Sequence, residues 1–317
     1  MSSTPPWNVR SLPGAEGRAF LVTGGNAGIG YFIAEQLSAT GATVVLGSRN
    51  PAKAEAATAS IRAQVPGARV RAVRLDLADL SSLEASVESL VGSLGVERLD
   101  AVVHNAGVAL DDPPRRETGD GHELMFGTNH LGHFALTRQL MPLLTAAPAA
   151  RVVTIGSFAA KSERLDLDDL QSHKDYRPKR AYARSKLAQM YFGVELDRRL
   201  RAVGSTVTSV VAHPGGALDS LTPARPPIHR PTTAARLCTA PAALLIQGKE
   251  AGAWSAVRAV LDPAVHGGQL WAPRVFGLRG KPRHEPMWNH LTDPAIAARL
   301  WETSRDLSGT EFDTVAG

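Results

Sequence analysis

Ala19-Phe20-Leu21-Val22-Thr23-Gly24-Gly25-Asn26-Ala27-Gly28-Ile29-Gly30 is the stretch that decides the fold. A short apolar run of β character enters a glycine-rich turn, and Ile29 to Ala39 then carries helical spacing. Glycine lets the backbone turn tightly and approach a pyrophosphate, which a helix N-terminus favours through free N–H groups and its dipole. The spacing is Gly-x-x-x-Gly-x-Gly, which departs from the general Gly-x-Gly-x-x-Gly dinucleotide fingerprint. The strand–turn–helix context is what makes a nucleotide site of Gly24, Asn26, Gly28, Ile29 and Gly30.

Outward from this turn, strand and helix signals alternate. Thr43–Leu46 is a second β-rich run, followed by a helical segment over 51–64; Val70–Leu75 reads as a third strand and Leu80–Leu94 as a helix. Ala101–Val103 and Arg151–Ile155 give strands four and five around a helical region from Gly121 to Leu144, and Arg180–Leu200 is a helix before strand six at Thr206–Ala212. Short buried runs alternating with helices predict an α/β fold, a single Rossmann-type doubly wound parallel sheet with helices on both faces. Ligands then bind beyond the carboxyl ends of the strands. Residues 1–17 read as a flexible Pro/Ser leader and 18–317 as one domain. After a proline-rich loop over 222–231 come a helix predicted over Thr232–Ile246, a Gly267-Gly268 turn, a last short strand and a Pro-rich tail.

Hydrophobic content of 44%, charged content of 21% and mean hydropathy of −0.10 place the chain among water-soluble globular proteins. The net charge of +5 is spread along the chain among Asp and Glu, which argues against nucleic-acid binding. Arg198-Arg199-Leu200-Arg201 sits where a helix should end, with cations opposing the negative end of its dipole. A single cysteine, Cys238, excludes an intramolecular disulfide and suits a cytoplasmic location; its apolar-rich helix predicts a buried packing residue. No apolar run reaches membrane-spanning length, so no membrane anchor is expected.

The chemistry is carried by ordered residues, each just after a predicted strand or on the following helix. Tyr182 and Lys186 stand at i and i+4 of the helix from Arg180, so phenol and ammonium share one face. A neighbouring cation favours the ionised phenol, and a lowered Tyr182 pKa is expected. Asn105-Ala106-Gly107 follows strand four, and Ser157 follows strand five. An acidic residue about twenty positions beyond the glycines would accept from the ribose 2′-OH of NAD. Ser48-Arg49 stands there instead, and a guanidinium pairs with a 2′-phosphate, so the predicted cofactor is NADP(H). Asp76-Leu77 follows strand three, placed either for an adenine-edge hydrogen bond or for a helix cap.

Together these residues resemble the short-chain dehydrogenase/reductase family. The pattern reads Thr23-Gly24-x-x-x-Gly28-Ile29-Gly30, Asn105-Ala106-Gly107, Asn129, Ser157, Tyr182-x-x-x-Lys186 and Pro214-Gly215. Ser157 and Tyr182 are 25 positions apart, longer than usual for the family. That insertion, with Leu167-Asp168-Asp169-Leu170, Ser185-Lys186-Leu187-Ala188 and Leu300-Trp301-Glu302, looks like the branch holding retinol dehydrogenases and WW-domain oxidoreductases; the likeness runs from about Trp7 to Phe312. The resemblance implies a hydride transfer between nicotinamide and a small-molecule carbonyl or alcohol. It makes Tyr182 the proton donor in reduction, while Lys186 lowers the Tyr182 pKa and bonds the nicotinamide ribose. Ser157 then stabilises the oxyanion, Asn129 completes a proton relay through water, and Pro214-Gly215 contacts cofactor.

Two positions depart from the family. His104 replaces an Asn that often precedes Asn-Ala-Gly, and Gly216-Ala217-Leu218-Asp219-Ser220 lacks the Thr that bonds the nicotinamide amide, leaving Asp219 or Ser220 for that contact. The segment 216–231 is expected to choose the substrate, with Leu218 and Leu221 favouring a hydrophobic ketone, aldehyde or secondary alcohol, and to move on a hinge at Gly215-Gly216. His130-x-x-His133 is read as packing beside Asn129 and Asp166, Asp168 and Asp169 as a solvated loop, so no metal site is expected. The different-class alternative is a catalytically silent dinucleotide sensor or scaffold of the same fold. A homo-oligomer is compatible with the sequence.

Overall fold

The apolar runs become parallel strands because the sheet is covered on both faces. In the computed structural model, which describes residues 7–312, β1 (Ala19–Thr23), β2 (Thr43–Ser48), β4 (Ala101–His104), β5 (Arg151–Ile155) and β6 (Thr208–Ala212) are buried along nearly their whole length. β3 (Arg69–Arg74) alternates buried Val70 and Val73 with exposed arginines, because it lies at a sheet edge. The eight-stranded sheet runs β10-β9-β6-β5-β4-β1-β2-β3, and all neighbours are parallel except the hairpin of β9 (Leu270–Val275) and β10 (Arg279–Glu285). Strand order reverses between β1 and β4, which pair with Phe20 opposite Ala101 and leave a crevice past their carboxyl ends.

Successive strand residues feed opposite cores. Val22, Val44, Leu46 and Val103 meet Tyr31, Phe32 and Leu37 of α1 (Gly28–Ser38), Ile61 of α2 (Pro51–Gln64) and Val257 of α9 (Trp254–Leu261). Leu21, Val45, Val102 and Val152 meet Leu83 and Leu90 of α3 (Leu83–Gly92), Phe134 and Leu140 of α5 (Gly132–Thr145), Phe192 of α6 (Pro178–Ala202) and Trp301 of α10 (Pro294–Ser308). A third cluster under the carboxyl edge joins Phe126 of the single turn α4 (Leu124–Phe126) to Met190, Tyr191 and Trp288.

Several expectations are corrected. Within the predicted leader, Trp7 and Leu12 pack on the first core, and buried Ala15 donates its N–H to the Thr40 carbonyl at 2.8 Å; residues 1–6 lie outside the described residues. The Pro-rich tail contains β10 and α10. Pro282 is tolerated because β10 is an edge strand, and Pro294 opens α10 at its first position after the Asp293 cap, whose Oδ1 accepts from the Ala295 N–H at 2.9 Å. The helix predicted over 232–246 is α7 (Thr233–Thr239) followed by a 3₁₀ turn at Ala240–Leu244 that contains Pro241. It lies on the surface, so Cys238 is exposed rather than buried. Of the acids read as a solvated loop, Asp169 is buried and accepts from the N–H groups of His173 and Lys174 at 2.7 and 3.1 Å.

One close approach sets the floor of the crevice. A Cβ on Gly132 would stand 2.2 Å from the Leu77 carbonyl oxygen and 2.7 Å from Leu77 Cβ, so only glycine lets α5 meet the turn after β3. Gly132→Ala is expected to destabilise the protein by about 1–3 kcal/mol, as overpacking does. Denaturant unfolding of the two proteins checks this, and equal midpoints would show that the turn at Leu77 yields without cost.

Candidate active site

A cleft of about 530 Å³ fills the crevice between β1 and β4. Its lining brings together Gly24, Asn26, Gly28, Ile29, Ser48, Arg49, Asp76, Leu77, Asn105, Ala106, Gly107, Tyr182, Lys186 and Pro214, from sites scattered along the sequence. Gly30, Asn129, Ser157 and Gly215 are not part of that lining. At the glycine turn, Gly24 and Gly28 have φ of +65° and +59°. A Cβ on Gly30 would meet the Asn105 amide nitrogen at 2.3 Å and the Gly24 carbonyl oxygen at 2.5 Å. Ala27 at the N-cap of α1 offers no side-chain cap and the first turn holds no acid, so its leading N–H groups remain for an anion. Arg49 is exposed at the end of β2 and, among the described residues, makes no ion pair or side-chain hydrogen bond. Asp76, just past the neighbouring β3, also lines the cleft and accepts from the Ala78 N–H at 3.0 Å. These features fit a dinucleotide with an anionic centre.

Thr23 welds the two central strands at this point. Its hydroxyl accepts from the N–H groups of Asn105 and Ala106 at 3.0 and 2.9 Å, and its own hydrogen faces the Val103 carbonyl and His133 Nε2 at 3.2 and 2.9 Å. His133 Nδ1 lies 2.9 Å from the Asn129 carbonyl and 3.1 Å from Gln189 Nε2. Burial drives His133 and His130 down to about 3, so both rings are neutral. His133 is thus more than the packing residue expected: it ties Asn129 to Thr23. His104, where the family often has Asn, is buried against the His133 ring at 4.7 Å.

At the other end of the cleft, α6 presents Tyr182 and Lys186. Asn129 sits in a π-helical turn (Gly127–Leu131); its side chain accepts from the Val108 N–H at 2.7 Å and donates to Ser185 Oγ at 2.9 Å, beside Lys186. Lys186 is buried and donates to Gln189 Oε1 at 2.7 Å, while Gln189 Nε2 donates to the His104 carbonyl at 3.1 Å. Burial without a carboxylate pulls the Lys186 ammonium from 10.5 down to about 7. Ser157 stands two residues past β5 and caps the next turn by accepting from the Ala159 N–H at 3.2 Å.

Here the structure corrects the reading of Tyr182. Burial pushes its phenol above the ordinary value of 10.0, and the Ser157 hydroxyl only partly opposes the rise. The expected lowering by Lys186 is absent, because desolvation weighs against the ionised forms of both groups. Nor do Asp219 and Ser220 reach the cleft: Asp219 is exposed and paired with Lys249, and Ser220 Oγ accepts from Thr239 at 2.7 Å. At Gly215-Gly216 only glycine fits, since a Cβ on Gly215 would stand 2.4 Å from the Leu278 carbonyl oxygen and one on Gly216 2.4 Å from the Ile246 side chain. Leu218 and Leu221 are half-buried outside the cleft lining. Gln189 and Lys249 were missed by sequence reasoning, and His133 was read only as packing; of the two missed residues only Gln189, three residues after Lys186, carried a local signal.

The Lys186 shift has a measurable sign. Between about 7 and 10.5 the unfolded chain binds a proton at this residue that the folded chain resists. Its contribution to stability is therefore present above 10.5 and is lost as pH falls towards 7. Lys186→Met in cofactor-free protein is expected to gain stability relative to wild type as pH is lowered from 10 to 7. Unfolding curves at both pH values decide it, and a difference that does not change with pH would mean that Lys186 keeps an ordinary pKa.

The short chain dehydrogenase family model matches residues 18–220. Mouse polyprenol dehydrogenase is 37% identical over 304 residues, which span 94% of this chain and 86% of that protein. Human retinol dehydrogenase 13 is 35% identical over 301 residues, 94% of this chain and 87% of that protein. Among solved structures, an uncharacterized protein from Mycobacterium Paratuberculosis superposes with a TM-score of 0.77 at 34% identity, covering 97% of this chain and 99% of that one. Among the described residues no helix is long and apolar enough to cross a membrane, and no cluster of three or more His, Cys, Asp or Glu could hold a metal. With the crevice, the glycine turn and the Tyr182/Lys186 face in place, these likenesses identify the chain as a member of the short-chain dehydrogenase/reductase family, in its retinol dehydrogenase branch: an oxidoreductase of alcohols and carbonyls that uses a nicotinamide dinucleotide.

Proposed function

We propose that the protein is an NADP(H)-dependent oxidoreductase that interconverts a hydrophobic ketone or aldehyde with its alcohol. The observation that carries this reading is that one cleft brings together Arg49, unpaired among the described residues, and Tyr182 with Lys186. When bound, the nicotinamide cofactor supplies or takes the hydride. Residues from Gly24 to Gly30 hold its diphosphate, Ser48 and Arg49 its 2′-phosphate, and Asp76, Leu77, Asn105, Ala106, Gly107, Pro214 and Gly215 its remaining length.

In reduction, the protein's own groups manage one proton and one developing charge. Burial keeps the proton on Tyr182 Oη, which is the form needed to donate to the substrate oxygen. Ser157 donates to the same oxygen as negative charge grows there. Lys186 lines the cleft with Tyr182 and has no carboxylate partner, donating instead to the neutral Gln189 Oε1. Asn129 serves as a positioning residue, because its amide bonds both the Val108 backbone and Ser185, the residue before Lys186.

Apolar substrates are favoured by two lines of support. Two relatives take their names from apolar alcohols, polyprenol and retinol. Segment 216–231 is also bonded to α7, where Arg236 donates to the Thr222 carbonyl at 3.0 Å, and the exposed Leu237, Leu244 and Leu245 stand on that surface. A panel of carbonyls and alcohols followed by NADPH and NADH absorbance tests the proposal. Turnover confined to charged sugars would overturn the substrate class.

Tyr182→Phe is expected to lower turnover by ~10²–10⁴-fold while leaving cofactor affinity nearly unchanged, since the ring still packs and only the transferable proton is lost. Retention of most of the rate would remove Tyr182 as proton donor. Arg49→Asp should weaken NADPH binding by roughly ten- to hundredfold and shift preference to NADH, because a carboxylate repels a phosphate and accepts from a hydroxyl. Titration of both cofactors measures it, and wild-type protein that binds NADH at least as tightly as NADPH would contradict the assignment.

A further inference from the structure

We propose that Lys249 is the side-chain cation for the cofactor's diphosphate, and that Asp219 holds its ammonium until the diphosphate takes it. This rests on the dinucleotide reading of the cleft given above. The charged side chains that line the cleft are Arg49, Asp76, Lys186 and Lys249. Arg49 stands at the end of β2, and Lys186 is buried on α6 with Gln189. Between them the first turn of α1 offers N–H groups, and Lys249 is the cation left to meet a doubly charged centre.

The backbone at Lys249 is fixed, so only its flexible stem has to move. Lys249 opens α8 (Lys249–Gly252) directly after β8 (Gln247–Gly248), which pairs with β7 (Ala217–Leu218). Its N–H donates to Thr222 Oγ1 at 2.8 Å, and α8 is tied to α1 by Gln36 Nε2 donating to the Glu250 carbonyl at 3.0 Å. The ammonium pairs with the Asp219 carboxylate, and the two side chains are 24% and 67% exposed. An exposed pair holds weakly, and Asp219 would remain in water after the ammonium left, so the exchange buries no charge. His229 Nδ1, 3.5 Å from Asp219 Oδ1, stays beside that carboxylate.

The pairing also explains a departure from the family pattern. A carboxylate at position 219, just beyond Pro214-Gly215, would repel an anionic cofactor unless a cation stood between them. Lys249 is placed to do that, although it lies 30 positions further along the chain.

The test uses the full chain with Lys249→Met, Lys249→Arg, Asp219→Asn and the double variant Lys249→Met/Asp219→Asn. Affinities for NADPH and NADH are read from nicotinamide fluorescence at low and high salt, with thermal unfolding measured without cofactor. Lys249→Met should weaken both dinucleotides equally, by about tenfold at low salt, with a shallower salt dependence. Lys249→Arg should restore most of the affinity. Asp219→Asn should tighten both cofactors by roughly two- to fivefold, and the double variant should match Lys249→Met. Lys249→Met affinity within twofold of wild type would overturn the proposal while leaving the cofactor site standing. So would Asp219→Asn weakening the cofactor as much as Lys249→Met does, because the pair would then only hold the fold. Wild-type protein that binds neither dinucleotide would overturn both readings.

Discussion

A lysine enclosed at 4% exposure, with no carboxylate beside it, is the constraint that orders this site. Charge in a dry interior is costly, and every group around it must lower that cost without cancelling the charge outright. Gln189 does so with a neutral oxygen and is itself oriented by the His104 carbonyl. The neighbouring histidines are kept neutral by burial, so none adds a second cation. A Glu in place of Gln189 would neutralise the ammonium that the chemistry needs. The polar network between β4, α5 and α6 thus consists of neutral donors and acceptors around one cation.

How much of this could be read from the chain depends on distance along it. The strand–turn–helix at 19–39 declares itself because its signals are contiguous, and the i, i+4 spacing places Tyr182 and Lys186 on one helix face. What spacing cannot report is how dry that face is, which is why the Tyr182 shift runs opposite to the local expectation. Cys238 fails for a related reason: an apolar-rich stretch signals burial only if something covers it, and α7 contains no buried residue. In the tail, prolines read as breakers conceal a helix, although Asp293-Pro294 is a start signal when taken as a pair. Lys249 reaches the cleft through the β7–β8 pairing, a contact that no local pattern announces.

The segment after Gly215 is better described as part of the cofactor framework than as a separate flap. Arg225 donates to both carboxylate oxygens of Glu35 on α1, at 2.7 and 2.9 Å, and Ser60 of α2 donates to the Pro226 carbonyl at 3.3 Å. The Arg225 and Glu35 side chains are only 17% and 9% exposed, so losing either partner would leave the other stranded in a dry environment. The helix that opens at the glycine turn and the loop beyond strand six are thus joined by a half-dry ion pair and a backbone contact.

The two margins of the sheet share a property with a bearing on assembly. Arg69, Arg71 and Arg74 line β3 at one margin, and Arg279, Lys281 and Arg283 line β10 at the other, where Pro282 also removes an N–H. Bringing two such margins together would set like charges face to face along unpaired backbone. Strand-to-strand growth is blocked at both ends by electrostatics, which guards a long, mostly parallel sheet against fibrous stacking.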